Sequence, residues 1–266
     1  MGGMTPSRTQ NFLLHCGICT HPLVRSIEEP ATTDGHRGLD LRMTRSQGQA
    51  ILWPVAVHRC PNCHACGAWL DHLKSDLAEF VASPAYLAVA QDDLPAGYRD
   101  HLAASLLAAE ANDLVGAADF ALAASWAADD DGLPENRRAD AGQRARRRFV
   151  NLWFEWCGDV LAGGLPRTPE TAAATVTGEV LLDNQVLVDL ARRLSDWDLA
   201  DAALTMARDA LAGAKQEAGP FDVDDEDSLQ ILTGMEMLLE LEGMLIRDRD
   251  PRFTPAEVEL PLWFTE

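Results

Sequence analysis

The chain has no apolar run approaching the ~18 residues a helix needs to cross a bilayer. Met1 to Gln10 holds no basic stretch followed by an apolar one. A membrane span and a secretory leader are therefore not expected, and the cysteines are expected in a reducing, cytoplasmic compartment. Basic residues are scarce, with 22 Lys and Arg against 42 Asp and Glu and a net charge of −20. That balance repels a phosphate backbone and disfavours sequence-independent nucleic-acid binding by the chain as a whole. The phosphate-cradling loops G-x-x-x-x-G-K-[ST] and G-x-G-x-x-G are missing, as are the G-x-S-x-G nucleophile elbow and the H-E-x-x-H metalloprotease helix. An acidic run, Asp222, Asp224, Asp225, Glu226 and Asp227, lacks the central Gly of a calcium loop and suits the start of a helix instead. Nothing positively suggests catalysis.

What is present is ordinary globular material, 47% hydrophobic and 24% charged in 266 residues, enough apolar surface to order the chain. The length suits one or two domains at about 100–200 residues each. The inventory changes at Leu70. Before it lie six Arg, four acidic residues, five of the six Cys and five of the seven His, so the first part is +2 and the rest −22. This contrast predicts two units, 1–70 and 71–266.

The first unit is broken by Gly17, Pro22, Pro30, Gly35, Gly38 and Gly48, which leave room only for short strands and turns. Ala50–His58 is its best strand, with Pro54 placing it at an edge or a bulge. After Leu70 the texture is helical, with helices expected near Asp71–Ala82, Pro84–Gln91, Tyr98–Leu114, Ala117–Ala128, Pro134–Leu161, Pro169–Leu194, Leu199–Ala212 and Asp227–Arg247. Ser83-Pro84 and Thr168-Pro169 have the form of an N-cap followed by proline at the first helical position. Two passages, around Asn112-Asp113 and Ser195-Asp196, end one helix on a small polar pair and restart the next on alanines. That is the logic of tetratricopeptide-like pairs, in which small residues let neighbouring helices approach closely; a plain helical bundle is the alternative. The expected fold is mainly α, a small N-terminal β zinc ribbon followed by a helical-repeat region.

The cysteines carry the chemistry. Cys16-Gly17-Ile18-Cys19 and Cys60-Pro61-Asn62-Cys63 are two C-x-x-C knuckles, each able to offer two thiolates to one tetrahedral ion. Four thiolates make a closed structural zinc site, and zinc is the expected cofactor. The gap from Cys19 to Cys60 exceeds the usual ribbon spacing of about 15–20 residues, so the intervening chain must fold back to bring the knuckles together. Disulfides would need an oxidising compartment. A thioredoxin-like pair would need only one motif, at a strand-to-helix junction. A base deaminase would need His-x-Glu and Pro-Cys-x-x-Cys, neither of which occurs. Cys66 is a surplus thiol. It makes C-x-x-C-x-x-C with Cys60 and Cys63, a spacing also used for iron–sulfur ligation, and serves as a small packed residue or a substitute ligand. His15, His21, His58 and His64 flank the knuckles and are expected around the site rather than on the metal. Cys157 falls on the apolar stripe Phe149, Leu152, Trp153, Trp156, Val160 and is expected to pack as a small hydrophobe.

His15-Cys16-Gly17-Ile18-Cys19, Gly38-Leu39-Asp40-Leu41-Arg42 and Val57-His58-Arg59-Cys60-Pro61-Asn62-Cys63, followed by a helical tail, resemble an uncharacterised bacterial family known as domain of unknown function 2225. The resemblance implies a split zinc ribbon joined to tetratricopeptide-like helices, and no activity. The family usually has Gly directly after the second knuckle, where this chain has His64.

Arg137, Arg138, Arg144, Arg146, Arg147 and Arg148 crowd one helical segment. They suit either an anion-binding patch or a solvated face opposite Asp129, Asp130 and Asp131. The apolar end Leu260-Pro261-Leu262-Trp263-Phe264 is expected to pack on the helices. Together these features point to a non-catalytic, zinc-binding protein-interaction or scaffold protein of the bacterial cytoplasm, with a protein partner. A nucleic-acid-binding or regulatory role of the zinc ribbon is the first alternative and a zinc-dependent enzyme the second.

Overall fold

The computed structural model describes residues 9–28, 57–130, 135–163, 185–217 and 226–252. The fold is mainly helical, with a small region of short strands near its start. β1 (Thr9–His15) and β2 (Pro22–Glu28) form an antiparallel hairpin with Leu13 opposite Val24. β3 (His58–Arg59) and β4 (Cys66–Gly67) form a second, shorter one. All strands among the described residues precede Leu70. Of the expected strand Ala50–His58, only Val57 and His58 are described, and His58 opens β3.

The helix expected over Asp71–Ala82 does not form as one piece. The chain makes two 3-10 turns, Leu70–His72 and Ser75–Leu77, and then only the four-residue α1 (Ala78–Val81). Leu73 between the turns is extended, at φ −65 and ψ 137. The reason is tertiary. The Leu70 carbonyl accepts a hydrogen bond from the Gly17 amide at 2.8 Å, across more than fifty residues of chain, so it is not free for an intrahelical partner.

Downstream, α2 (Pro84–Ala90) starts as expected. Ser83 accepts from the Tyr86 amide at 3.2 Å and Pro84 occupies the first turn, where no N–H is missed. Then follow α3 (Ala96–Glu110), α4 (Leu114–Asp130), α5 (Glu135–Gly163), α6 (residues 185–193), α7 (Trp197–Glu217) and α8 (Glu226–Arg247). The expected Thr168-Pro169 cap, the first part of the helix placed at Pro169–Leu194, and the segment Leu260–Phe264 lie outside the described residues.

The two similar turns have one geometry. Asn112 and Ser195 are both left-handed, at φ 65 and 59. Each closes a Schellman pattern. The Asn112 and Asp113 amides donate to Ala109 and Ala108, and the Ser195 and Asp196 amides donate to Arg192 and Ala191. The aspartate then caps the next helix, Asp113 accepting from Gly116 and Asp196 from Leu199. One small polar pair thus ends a helix and starts another.

Packing groups the chain into two compact units, one of residues 1–33 with 52–156 and the other of 34–51 with 157–266. In the first, Cys16, Cys60, Cys66 and Leu70 share a core with Leu77, Val81, Tyr86, Ala103 and Leu107. A neighbouring cluster joins Tyr98 and Leu102 to Ala124, Ala127, Ala141 and Ala145, and its small side chains let α3, α4 and α5 approach closely. The cysteine segment and the helices after Leu70 therefore have one interior. No described helix is long and apolar enough to cross a membrane.

Candidate metal centre

Both knuckles sit at the tips of hairpins built alike. The residue before the first cysteine pairs with the residue six after it: His15 with Pro22 around Cys16, and Arg59 with Cys66 around Cys60. In each, the first cysteine's amide donates five residues on, Cys16 to His21 and Cys60 to Ala65, at 3.0 and 2.8 Å. The residue after the second cysteine donates back to the first, Thr20 to Cys16 and His64 to Cys60. Thr20 and His64 are both left-handed, at φ 58 and 64. Glycine takes that conformation at no steric cost. His64 makes the tight turn nonetheless, held by hydrogen bonds on both sides.

The two tips meet. Cys16 Sγ lies 3.7 Å from Cys63 Sγ and Cys19 Sγ lies 3.6 Å from Cys60 Sγ. All four sulfurs fall within 4.8 Å of one another, and among the described residues no other group of metal-ligating side chains gathers like this. None of the four forms a disulfide. Four closely placed cysteines of this kind could hold a metal ion.

Their acidities express the crowding. Burial pushes the Cys16 thiol up, against amide hydrogen bonds that favour its thiolate. Burial also works against ionising Cys19, but the Asn62 side chain, the His21 amide and the neighbouring thiols outweigh it and bring Cys19 down to about 6. Cys63 goes the other way: burial raises it, and Cys19, Cys60 and Cys16 raise it further. Ionising Cys19 is thus favoured, and ionising Cys63 beside it is opposed.

Cys66 is not in the group. It is buried, its Sγ donates to the His64 carbonyl at 3.4 Å, and burial pushes its thiol up to about 12. Its place is structural, as the return strand of the second hairpin. His15, His21, His58 and His64 are likewise outside the group. His64 turns its ring to Arg59, with Nδ1 3.1 Å from the guanidinium, and Arg59 reaches Asp100 of α3 at 3.6 Å.

Two residues outside the motifs seat the knuckles on the helices. Tyr86 of α2 is fully buried and edge-on to Phe80. Its hydroxyl donates to the His64 carbonyl at 3.1 Å and accepts from the Cys66 amide at 3.0 Å. Tyr86→Phe keeps the ring but leaves both backbone groups buried without that partner. A loss of about 1–3 kcal/mol is expected, read as a lower urea midpoint of the metal-loaded protein. An unchanged midpoint would show that the hydroxyl does not pin the knuckle. Gly17 lies so close to the turn after Leu70 that a Cβ would overlap the Leu73 carbonyl oxygen. Gly17→Ala should therefore push the first knuckle off Leu70–Leu73 and weaken metal retention in a chelator competition; retention equal to the parent would refute that seating.

The arginine cluster is divided in its tasks. Arg146, 5% exposed, pairs with Asp129 at 2.6 Å, and Arg148 donates to the Ser105 hydroxyl and carbonyl at 2.7 and 3.0 Å. Arg137 pairs with Asp93. Arg144 and Arg147 are exposed. Arg146 does face Asp129, but the pair is buried and not the solvated face expected from the sequence.

Sequence reasoning missed a buried charge cluster in the second unit. Arg192 and Glu242 are 0% exposed and Asp189 2%. Arg192 binds Asp189 at 2.6 Å, Glu242 at 2.7 Å, and the carbonyls of Asp250 and Arg252 at 2.7 and 2.9 Å. Arg193 approaches Asp189 at 3.5 Å. The only signal was Asp189 three residues before Arg192 on one helix, an unremarkable pair. Burial, and then the charge of Asp189, hold the Glu242 carboxyl well above its ordinary value of 4.5 despite Arg192. The folded state therefore keeps a proton that the unfolded chain releases above 4.5. This contribution is fully present below that value and is lost as pH rises through the raised folded value. Glu242→Gln should flatten that fall; a parent urea midpoint no more pH-dependent than the variant's would contradict it.

No family model, curated protein or solved structure matches the chain.

Proposed function

We propose that Cys16, Cys19, Cys60 and Cys63 hold one zinc ion in a closed structural site, and that the chain is a non-catalytic, cytoplasmic protein-interaction scaffold of bacterial type. The observation that supports this best is the pair of sulfur distances, 3.7 and 3.6 Å. Bonds of ~2.3 Å to one tetrahedral ion require sulfurs about 3.8 Å apart. All-thiolate tetrahedral sites suit zinc or iron–sulfur chemistry, and two knuckles closing on one point suit a single ion. Four protein ligands leave no position for a water or substrate, which argues for a structural role over a zinc-dependent enzyme. The helix pairs α3–α4 and α7–α8, each closely packed, fit a tetratricopeptide-like arrangement, and the resemblance to domain of unknown function 2225 belongs to the same reading.

The purified full-length chain should carry one zinc per molecule by elemental analysis, be colourless, and capture a defined protein from its host with no nucleic acid retained. Stoichiometric iron, or the absence of any metal after purification without chelator, would overturn the zinc assignment. Salt-sensitive retention of DNA or RNA by the full chain would favour the nucleic-acid reading instead.

A further inference from the structure

A groove of about 770 Å³ runs across the first unit between α3 and α5. Its apolar side is half-buried Leu106 from α3 and Val89 from α2, over a floor of Leu102 and Leu152 that is buried in the core. Along its rim Arg144, Arg147 and Arg148 fall at helical steps of three and four, so all three lie on one face of α5. Arg148 is tied to Ser105. Arg144 and Arg147 are exposed and enter no ion pair among the described residues. In a chain with nearly twice as many acidic as basic residues, two such arginines beside an apolar wall are out of keeping with a merely solvated face.

The ends of the groove carry the opposite sign. Asp140 lies one turn before Arg144 and Glu155 two turns after Arg148. The positive stretch is therefore short, about 6 Å at 1.5 Å per residue. A nucleic-acid strand following the groove would meet a carboxylate at either end. A free phosphate would have no use for the leucines. The complementary ligand is a peptide with two carboxylates one helical turn apart beside apolar side chains.

We propose that this groove is a docking site for an acidic amphipathic helix of a partner protein, seated by Arg144 and Arg147 beside Leu106 and Val89. The proposal deepens the scaffold reading and rests on it.

The probe is a fluorescein-labelled helical peptide with two Glu one turn apart among leucines, titrated by anisotropy against the full-length, zinc-loaded chain. The control is the same peptide with Lys in place of Glu. Binding should favour the acidic peptide, weaken as salt rises, and fall about tenfold or more in the Arg144→Glu, Arg147→Glu double variant, as two attractive pairs become repulsive. The double variant should keep the parent's melting temperature, since both side chains are exposed and neither enters an ion pair among the described residues. Equal binding of the basic peptide, an acidic-peptide affinity untouched by the double variant, or displacement by inorganic phosphate or a single-stranded oligonucleotide would each overturn the assignment. So would a dimer in sedimentation that the double variant abolishes, because the occupant would then be a second copy. A host partner that the double variant still captures would defeat the groove and leave the scaffold role standing. Peptide binding as expected, with only nucleic acid recovered from the host, would defeat the scaffold role and leave the groove.

Discussion

Replacing Cys60 with Ser should release the metal and unfasten the first unit while leaving the second folded. A structural zinc contributes an apparent ~10–16 kcal/mol to the folding of small zinc domains, so losing one of four ligands forfeits about a quarter, roughly 3 kcal/mol or more. That weakens zinc binding by about a hundredfold or more. The effect should spread beyond the hairpins, because Cys60 and Cys16 are buried in the same core as Leu77, Val81, Tyr86, Ala103 and Leu107. Limited proteolysis should cut the variant between Thr9 and Leu77 and expose α1 and α2, which the metal-loaded parent protects. The fragment of the second unit should persist, since its core draws on Val188, Leu190, Ala203 and Leu238 and not on the cysteines. Chelator treatment of the parent should reproduce the pattern, and acidification should too, because the ligands must be thiolates. A Cys60→Ser chain that resists protease like the parent would defeat the structural-metal reading. So would cleavage that spreads equally through α7 and α8.

The second large effect belongs to Arg192. Arg192→Met removes the cation that faces both Asp189 and Glu242 and unpairs the carbonyls of Asp250 and Arg252. Breaking a buried ion pair from one side costs about 3–5 kcal/mol, because the remaining charge is left in a low-dielectric interior. Glu242 already holds its proton more tightly than a free carboxyl, and Asp189 retains Arg193 at 3.5 Å, so the lower half of that range is expected. The measurement is the urea midpoint of the second unit near neutral pH. Adding Asp189→Asn and Glu242→Gln to Arg192→Met should recover most of the loss, since a neutral cluster no longer strands a charge. A single variant within about 0.5 kcal/mol of the parent, as an ordinary surface substitution would be, would show that the cluster is not the buried, mutually dependent set its geometry describes.

The residue sequence alone determined what depends on near neighbours. Two C-x-x-C knuckles prescribe two thiolate pairs whatever surrounds them. Ser83-Pro84 prescribes a helix start, because the hydroxyl and the missing N–H both act within one turn. The shared form of Asn112-Asp113 and Ser195-Asp196 was legible for the same reason, and the left-handed residue followed by a capping aspartate is its local physics. Helical texture after Leu70 followed from composition summed over long windows. What the tertiary structure decided are the matters of distant contact. The segment after Leu70 has helix-forming residues, yet the Gly17 amide takes the Leu70 carbonyl and the turn breaks into 3-10 pieces. Cys66 looked like a spare ligand because spacing along the chain does not say which thiol faces the others; its pairing with Arg59 and its burial under Tyr86 turn it away. Six arginines in one helical stretch read alike, and only the partners brought up by α3 and α4 separate Arg146 and Arg148 from Arg144 and Arg147. Arg192 is the extreme case. Whether an arginine is solvated or sealed among carboxylates depends on a glutamate fifty residues away, and no local pattern carries that distance.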